Sequence, residues 1–169
     1  MSQATIAIHR HATAQARIDT PLGALLLVRT ADGLAGAWFD GQKHHPDPID
    51  VPEAGDDPVL QAAAAQLAAY FGGATDRFDL PLDLQGSDFQ RAVWAELLRI
   101  GSGRTCSYAD VARAIGAPKA VRAVGSAIGR NPVSVIVPCH RVVGSAGALT
   151  GYAGGLDRKR ALLALETRA

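Results

Sequence analysis

A small α/β domain with an antiparallel sheet, followed by a mostly helical domain bearing a helix-turn-helix, is the fold class the sequence predicts. Three observations carry it. Short apolar runs punctuated by turn residues fill the first half, capped helical spacings fill the second, and the charge changes sign between them. Residues 1–86 hold 5 Lys+Arg against 11 Asp+Glu, net −6, whereas residues 87–169 hold 12 against 5, net +7. The 169-residue chain, 48% hydrophobic, is long enough to bury a core of its own. The expected division is 1–80 for an α/β scaffold, 81–86 for a linker and 87–169 for the second domain.

Residues 1 to about 15 show no clear period and read as a loose tail. Arg17–Thr20, Gly23–Thr30 and Leu34–Phe39 read as strands, with Ala31-Asp32-Gly33 as the turn between the last two. Gly41–Asp57 is a loop rich in Pro, Asp and Gly, and its His44-His45 pair reads as exposed decoration rather than a metal site. Asp57-Pro58 supplies an N-cap and a first-turn proline for a helix with Leu60, Ala64, Leu67 and Phe71 on one side, ended by Gly72-Gly73. Nothing here resembles a nucleophile or a phosphate loop, so the first half is expected to be scaffold.

In the second half, Ser87 caps a helix carrying Phe89, Val93, Trp94, Leu97 and Leu98. Ser107 caps the next, Tyr108–Ile115, which Gly116-Ala117-Pro118 stops before a third helix from Lys119 to about Ile128. Two short helices joined by a glycine-containing turn outline a helix-turn-helix. In the third helix Val121, Val124 and Ile128 form an expected core stripe beside the small Ala120, Ala123 and Ala127, and Arg122 projects alone. So slim a helix can approach a groove closely, but it lacks Asn, Gln or Glu to read base edges, so DNA binding through it would be nearly sequence-independent. Close packing inside the protein explains the alanines equally well, and both readings stand at this point. A basic half suits phosphate contact, although two halves of opposite charge can also simply attract each other.

The longest strongly apolar stretch, Ala24–Val28, is far short of the roughly 20 residues of a membrane-spanning helix. With no basic-then-apolar leader before it, a soluble cytoplasmic protein is expected. Cys106 and Cys139 are the only cysteines, so thiol chemistry is expected rather than a disulfide scaffold. Cys106 beside the Ser107 cap reads as structural, and Trp38 and Trp94 read as core. Val133–Val137 reads as a buried strand or extended segment delivering Pro138-Cys139-His140-Arg141. The adjoining His and Arg can favour thiolate, which an unassisted thiol of pKa about 8.5 forms only to a few per cent at neutral pH. On the dipeptide alone, an inert packing cysteine is a better reading than a nucleophile.

The longer string is more specific. Asn131-Pro132, Pro138-Cys139-His140-Arg141-Val142-Val143, Gly151-Tyr152-Ala153-Gly154-Gly155-Leu156 and Arg158-Lys159 together closely resemble the O6-alkylguanine-DNA alkyltransferases. The resemblance runs from about Asp88 to Glu166 and implies a ribonuclease-H-like first domain before the helix-turn-helix domain. It implies irreversible, single-turnover transfer of an alkyl group from O6-alkylguanine in a flipped-out base, with activity on O4-alkylthymine left open. It assigns Cys139 as acceptor, His140 as the base reaching the thiol through a water, Glu166 as the carboxylate orienting that histidine, and Asn131 as the brace of the turn. Tyr108 would donate to N3 of the extruded guanine and crowd the adjoining phosphate, and Arg122 would fill the gap in the base stack. Ala120, Ala123 and Gly125 would meet DNA. Val142, Tyr152 and Ala153, with Tyr108, would line the base pocket, Ala153 contributing backbone alone to O6.

The partner implied is double-stranded DNA, bound through the minor groove with little sequence specificity by a monomer. No metal and no cofactor are expected; some relatives hold zinc with first-domain cysteines, and here no cysteine precedes Cys106. A non-catalytic lesion-binding module, a cysteine hydrolase and a transcription regulator are the competing readings. Cys139 argues against the first, and the missing base-reading side chains argue against the last.

Overall fold

The structure, a computed structural model, describes residues 3–168. Its order of elements is α1 (Gln3–His11), β1 (Ala12–Ile18), β2 (Leu25–Thr30), β3 (Gly33–Phe39), α2 (Pro58–Phe71), α3 (Asp88–Leu97), β4 (Cys106–Ser107), α4 (Tyr108–Ala114), α5 (Val121–Gly129), β5 (Val142–Val143) and α6 (Leu156–Thr167). An antiparallel three-stranded sheet, β1-β2-β3, is followed by helices, as the predicted fold class requires.

The sheet buries both faces because its side chains alternate. Leu25, Leu27, Leu34, Ala37 and Phe39 face α2, meeting Leu60, Ala63, Leu67 and Tyr70. Leu26, Val28, Ala35 and Trp38 face the other way, onto Ile8 and Ile49. Leu34 and Ala37 share a face despite their odd spacing because the β2–β3 register shifts between Val28 and Arg29, leaving Ala35 as an extra residue in a bulge.

This arrangement corrects the expectation of a loose tail. Gln3–His11 is helical and Ala12–Ile18 is the first strand, beginning well before Arg17, while Met1 and Ser2 lie outside the described residues. The physical reason is the outer sheet face, which would expose Trp38 and Leu26 unless α1 set Ile8 against them.

Local signals hold elsewhere. Asp57 accepts from the Val59 and Leu60 N–H groups, and Ser87 and Ser107 each form a capping box, with Gln90 and Asp110 respectively. Residues 81–83 run beside β3, where the Leu34 N–H donates to the Pro81 carbonyl at 2.8 Å and the Asp83 N–H to the Leu34 carbonyl at 2.8 Å. Gly33 permits that crossing. Its φ is +155°, and a Cβ there would sit 2.5 Å from the Pro81 oxygen.

In the second half, the Trp94 indole N–H donates to the Ala127 carbonyl at 2.8 Å, locking α3 to α5. Val124, Ala127 and Ile128 are buried, but Val121 is 36% exposed. The expected stripe therefore loses Val121, which lies in the first turn, and gains Ala127, the residue against which α3 packs. Val133–Val137 is fully buried yet is not a strand. Asn131 accepts from the Val133 N–H, the Val137 N–H turns back to the Val133 carbonyl, and Val135 adopts φ +73°. Among the described residues no helix is long and apolar enough to cross a membrane.

Candidate active site

The folded-back segment 131–138 exists to present one turn. Its outer edge is tied to β3, where Ala37 donates to the Pro132 carbonyl at 2.8 Å and accepts from the Ser134 N–H at 2.9 Å. Its inner edge is tied by Asn131, whose side-chain amide donates to the Val137 carbonyl at 2.8 Å and to the Cys139 sulfur at 3.1 Å. Asn131 thus ties the two ends of the segment together and also touches the thiol. A positive φ at a β-branched residue such as Val135 is costly, and it persists here because bonds on both sides over-determine it.

Cys139–Arg141 form a single 3-10 turn, which places consecutive side chains around a tight coil rather than on opposite sides of a strand. Helix α6 packs on this turn and brings Glu166 to it. His140 Nε2 donates to Glu166 Oε1 at 2.7 Å, and Arg141 grips the carboxylate at both oxygens, Nε to Oε2 at 3.0 Å and Nη2 to Oε1 at 2.7 Å. Because Nε2 carries the proton shared with Glu166, His140 Nδ1 is left with its lone pair. That atom is buried and has no partner among the described residues.

Burial would raise the Glu166 carboxyl, but hydrogen bonds from His140, Arg141 and Tyr70 together with the His140 charge hold it at about 2. Burial holds His140 below its ordinary value, with the Glu166 hydrogen bond and charge opposing and Arg141 and Lys159 reinforcing. Burial pushes the Cys139 thiol up to about 11 even though the Asn131 hydrogen bond and the Lys159 charge pull it down. The resting sulfur is therefore protonated, and ionising it requires a base.

Cys139 lines a cavity of about 440 Å³ with Tyr108, Gly125, Gly151, Tyr152 and Ala153. That volume lies within the roughly 300–1,000 Å³ range of small-ligand sites. The Tyr108 hydroxyl donates to the Thr150 carbonyl at 3.3 Å, and its ring lies against Gly125, whose added Cβ would stand 3.7 Å from it. The Tyr152 hydroxyl is buried without a partner among the described residues. A second cavity, of about 480 Å³, is lined by Ile136, Pro138 and Arg141 but by neither Cys139 nor His140.

The structure gathers Asn131, Cys139, His140 and Glu166 at one point and Tyr108, Gly125, Tyr152 and Ala153 around the cavity. Val142 is not with them. It is fully buried in β5, paired with Cys106, so it does not line the cavity; its contribution is its carbonyl, which accepts from Lys159. On α5, Arg122 and Ala123 are exposed and Ala120 is half-buried at the N-cap. Arg122 makes no ion pair among the described residues. Cys106 is a half-buried free thiol held above its ordinary pKa by burial, with Asp110 and Glu96 adding to it.

Four contributors were not read from the sequence. Lys159 is fully buried and donates to the carbonyls of Val142, Thr150 and Gly151 at 2.6, 2.8 and 3.2 Å. The cation acting on the sulfur is therefore Lys159, whereas Arg141 is spent on Glu166. A signal existed, because Lys159, Leu162 and Glu166 share the buried stripe of α6 and charged residues on such a stripe need partners. Tyr70, on α2, donates its hydroxyl to Glu166 Oε1 at 2.8 Å.

Lys43 and His44 line the cavity, with the Lys43 N–H donating to the Ala153 carbonyl at 2.8 Å and His44 at φ +62°. The first half is accordingly more than scaffold, and His44, although exposed, is part of the cavity wall. No group of three or more metal-ligating side chains occurs among the described residues.

Two family profiles match the chain: "6-O-methylguanine DNA methyltransferase, ribonuclease-like domain" over residues 14–84 and "6-O-methylguanine DNA methyltransferase, DNA binding domain" over residues 88–168. The methylated-DNA–protein-cysteine methyltransferase of Mycolicibacterium paratuberculosis is 48% identical over 151 residues, covering 89% of this chain and 90% of that protein. The protein of the same name from Methanosarcina barkeri is 47% identical over 150 residues, covering 88% and 94%. The crystal structure of Mycobacterium tuberculosis OGT in complex with DNA superposes with a TM-score of 0.82 at 46% identity, covering 92% of this chain and 94% of that one.

Proposed function

Since the chain belongs to the O6-methylguanine-DNA methyltransferase family, DNA-binding repair proteins that transfer an alkyl group from DNA to a cysteine, we propose that Cys139 is the acceptor and that its relay runs through His140 to Glu166. The observation that carries this reading is the thiol itself. It lines a cavity of about 440 Å³, on a turn whose next residue is a histidine bonded at 2.7 Å to a buried carboxylate.

The chemistry follows from the geometry. A proton passes from Cys139 Sγ to His140 Nδ1 through an intervening water, and Glu166 stabilises the imidazolium through Nε2. The thiolate, favoured by the Lys159 charge and the Asn131 amide, attacks the alkyl carbon in line with the C–O6 bond. The S–C bond forms as the C–O6 bond breaks, and the electron pair leaves on the guanine. Tyr108 neutralises that charge by donating from its hydroxyl, and the backbone beside Ala153 meets O6. The thioether has no hydrolytic route, so each molecule acts once.

A purine reaches this thiol only outside the duplex, and unstacking it costs a few kcal/mol. Arg122, exposed on α5 and without an ion pair among the described residues, fits the gap so created, and the small Ala120, Ala123 and Gly125 let the helix approach the minor groove closely. Recognition by such a helix is indifferent to sequence and needs one monomer. A free thiol as cosubstrate suits the reducing cytoplasm.

The test is to incubate the protein with duplex DNA containing O6-methylguanine and weigh its peptides. One methyl group on the Cys139 peptide per molecule, with no second round, is expected; an unmodified Cys139 under excess lesion overturns the assignment. Replacing Arg122 with Ala should slow transfer from duplex DNA on the order of 10- to 100-fold, in keeping with a few kcal/mol of unstacking. Transfer from the free base should stay within about twofold, since no duplex is opened there. Single-turnover rates on the two substrates check this, and equal losses on both remove the intercalating role.

A further inference from the structure

We propose that Tyr70 is a positioning residue that sets the strength of the thiol's base, donating to the same Glu166 oxygen as His140 and so withholding part of the carboxylate's charge from the imidazole. The inference rests on the Cys139–His140–Glu166 relay and adds to it a control supplied by the first half of the chain.

Four hydrogen bonds end on Glu166, and they are unevenly shared. Tyr70 Oη at 2.8 Å, His140 Nε2 at 2.7 Å and Arg141 Nη2 at 2.7 Å all converge on Oε1, whereas Arg141 Nε alone, at 3.0 Å, reaches Oε2. Three donors on one oxygen compete for its lone pairs, so each weakens the hold of the others. Tyr70 is not needed to fix the carboxylate in place, because Arg141 already holds both oxygens. What remains for its hydroxyl is an electronic effect on the His140 bond.

The ring that carries the hydroxyl is packed in place. Tyr70 is 2% exposed, and its ring lies edge-on to Phe71 and tilted against Phe78, with centroids 5.3 and 5.4 Å away. The groups facing the relay are few. Glu166 meets Tyr70 from α2 and His140 and Arg141 from the 3-10 turn; Lys159 from α6 bears on both His140 and Cys139, and the Tyr152 hydroxyl lies within electrostatic reach of Cys139, Tyr70, Glu166 and Arg158. Of these, only Tyr70 is a neutral donor on the oxygen that His140 uses.

Removing the hydroxyl should therefore strengthen the Glu166–imidazolium pair and draw the proton off Cys139 more readily. In the resting protein Tyr70 acts as a brake that keeps the sulfur in its thiol form, protecting it from stray electrophiles while no base occupies the cavity.

The experiment follows Cys139 labelling by iodoacetamide across pH in the intact chain, with the Cys106 peptide as internal reference. Tyr70→Phe keeps the ring and should shift the Cys139 profile to lower pH, raising its labelling rate at pH 7 about threefold to tenfold, a fraction of what a hydrogen bond to a charged group is worth. Cys106 labelling should be unchanged. Site-specific replacement of Tyr70 by 3-fluorotyrosine, a stronger donor of nearly the same shape, should shift the Cys139 profile to higher pH, a reversal that a purely structural role does not produce. A Phe profile that coincides with wild type or moves to higher pH, or a fluorotyrosine profile that moves to lower pH or stays in place, overturns the proposal. The assay uses neither DNA nor lesion, so its outcome stands apart from whether Cys139 accepts a methyl group.

Discussion

Glu166→Gln is expected to cost the protein both its transfer rate and a large share of its stability. Gln keeps the shape and removes the charge, leaving the guanidinium of Arg141, whose side chain is 8% exposed, with no anion to pair. Breaking a buried ion pair from one side costs about 3–5 kcal/mol. His140 simultaneously loses the charge that makes its imidazolium tolerable, so the Cys139 thiol, already at about 11, has no effective base near neutral pH. Removing general-base assistance slows such reactions by roughly 10²–10⁴-fold. Urea unfolding and single-turnover transfer read the two losses, and a variant as stable and fast as wild type would show that Glu166 serves neither role.

Acid separates the same contributions. The folded protein holds the Glu166 carboxyl at about 2 against an ordinary 4.5, so its stabilising share is complete above about pH 4.5 and drains away as pH falls through 2. His140 acts in the same direction. Held below its ordinary 6.5 by burial, it refuses a proton that the unfolded chain accepts, so stability also declines once pH drops below about 6.5. Wild type should therefore lose stability on acidification in this window, and the gap between it and Glu166→Gln should narrow as pH falls from 5 towards 2. A gap independent of pH would exclude ionised Glu166 as its source.

What could be read from the sequence was what is local in the chain. The helix starts at Asp57, Ser87 and Ser107 are visible because each cap and its partner lie within three residues. Asn131, Cys139 and His140 are visible because one continuous string carries them. The run Val133–Val137 misleads, since four of its five residues are apolar and β-branched, with Ser134 between the first two, and such a run reads as a strand. What coils them is the Asn131 side chain and the ties to β3, neither of which periodicity reports. Helix α1 escapes for a related reason. Its reward is the outer face of a sheet formed by residues twenty to thirty positions later, and one buried Ile8 leaves a faint stripe. Tyr70 is hardest of all, because on α2 it occupies an ordinary core position beside Leu67, and only the approach of α6, 96 residues on, gives its hydroxyl a partner.

Lys159→Met is expected to slow alkyl transfer far more than it weakens DNA binding. Met matches the length and much of the shape of the lysine stem, so the main loss is the ammonium group. That group joins the Val142 carbonyl in β5 to the carbonyls of Thr150 and Gly151, whose segment walls the cavity and receives the Tyr108 hydroxyl. The Val142 carbonyl, left buried and unpaired, costs about 1–3 kcal/mol, and the Thr150–Gly151 segment loses its tie to β5, so the cavity wall should loosen and the whole protein should lose a comparable amount of stability. The charge goes too, and with it a pull that holds the Cys139 thiol down against its burial. Both effects fall on the transfer step, where misplacing an aligned nucleophile by about 1 Å can cost on the order of 100-fold. Lys159 is fully buried and cannot touch a phosphate, so duplex affinity should stay within about threefold, less than the change expected from one lost phosphate contact over a modest salt range. Measuring transfer rate and duplex affinity on the same preparation separates the two quantities. If affinity falls in step with rate, Lys159 acts by holding up the DNA-binding surface; if rate alone collapses, it acts on the sulfur and on the wall that faces it.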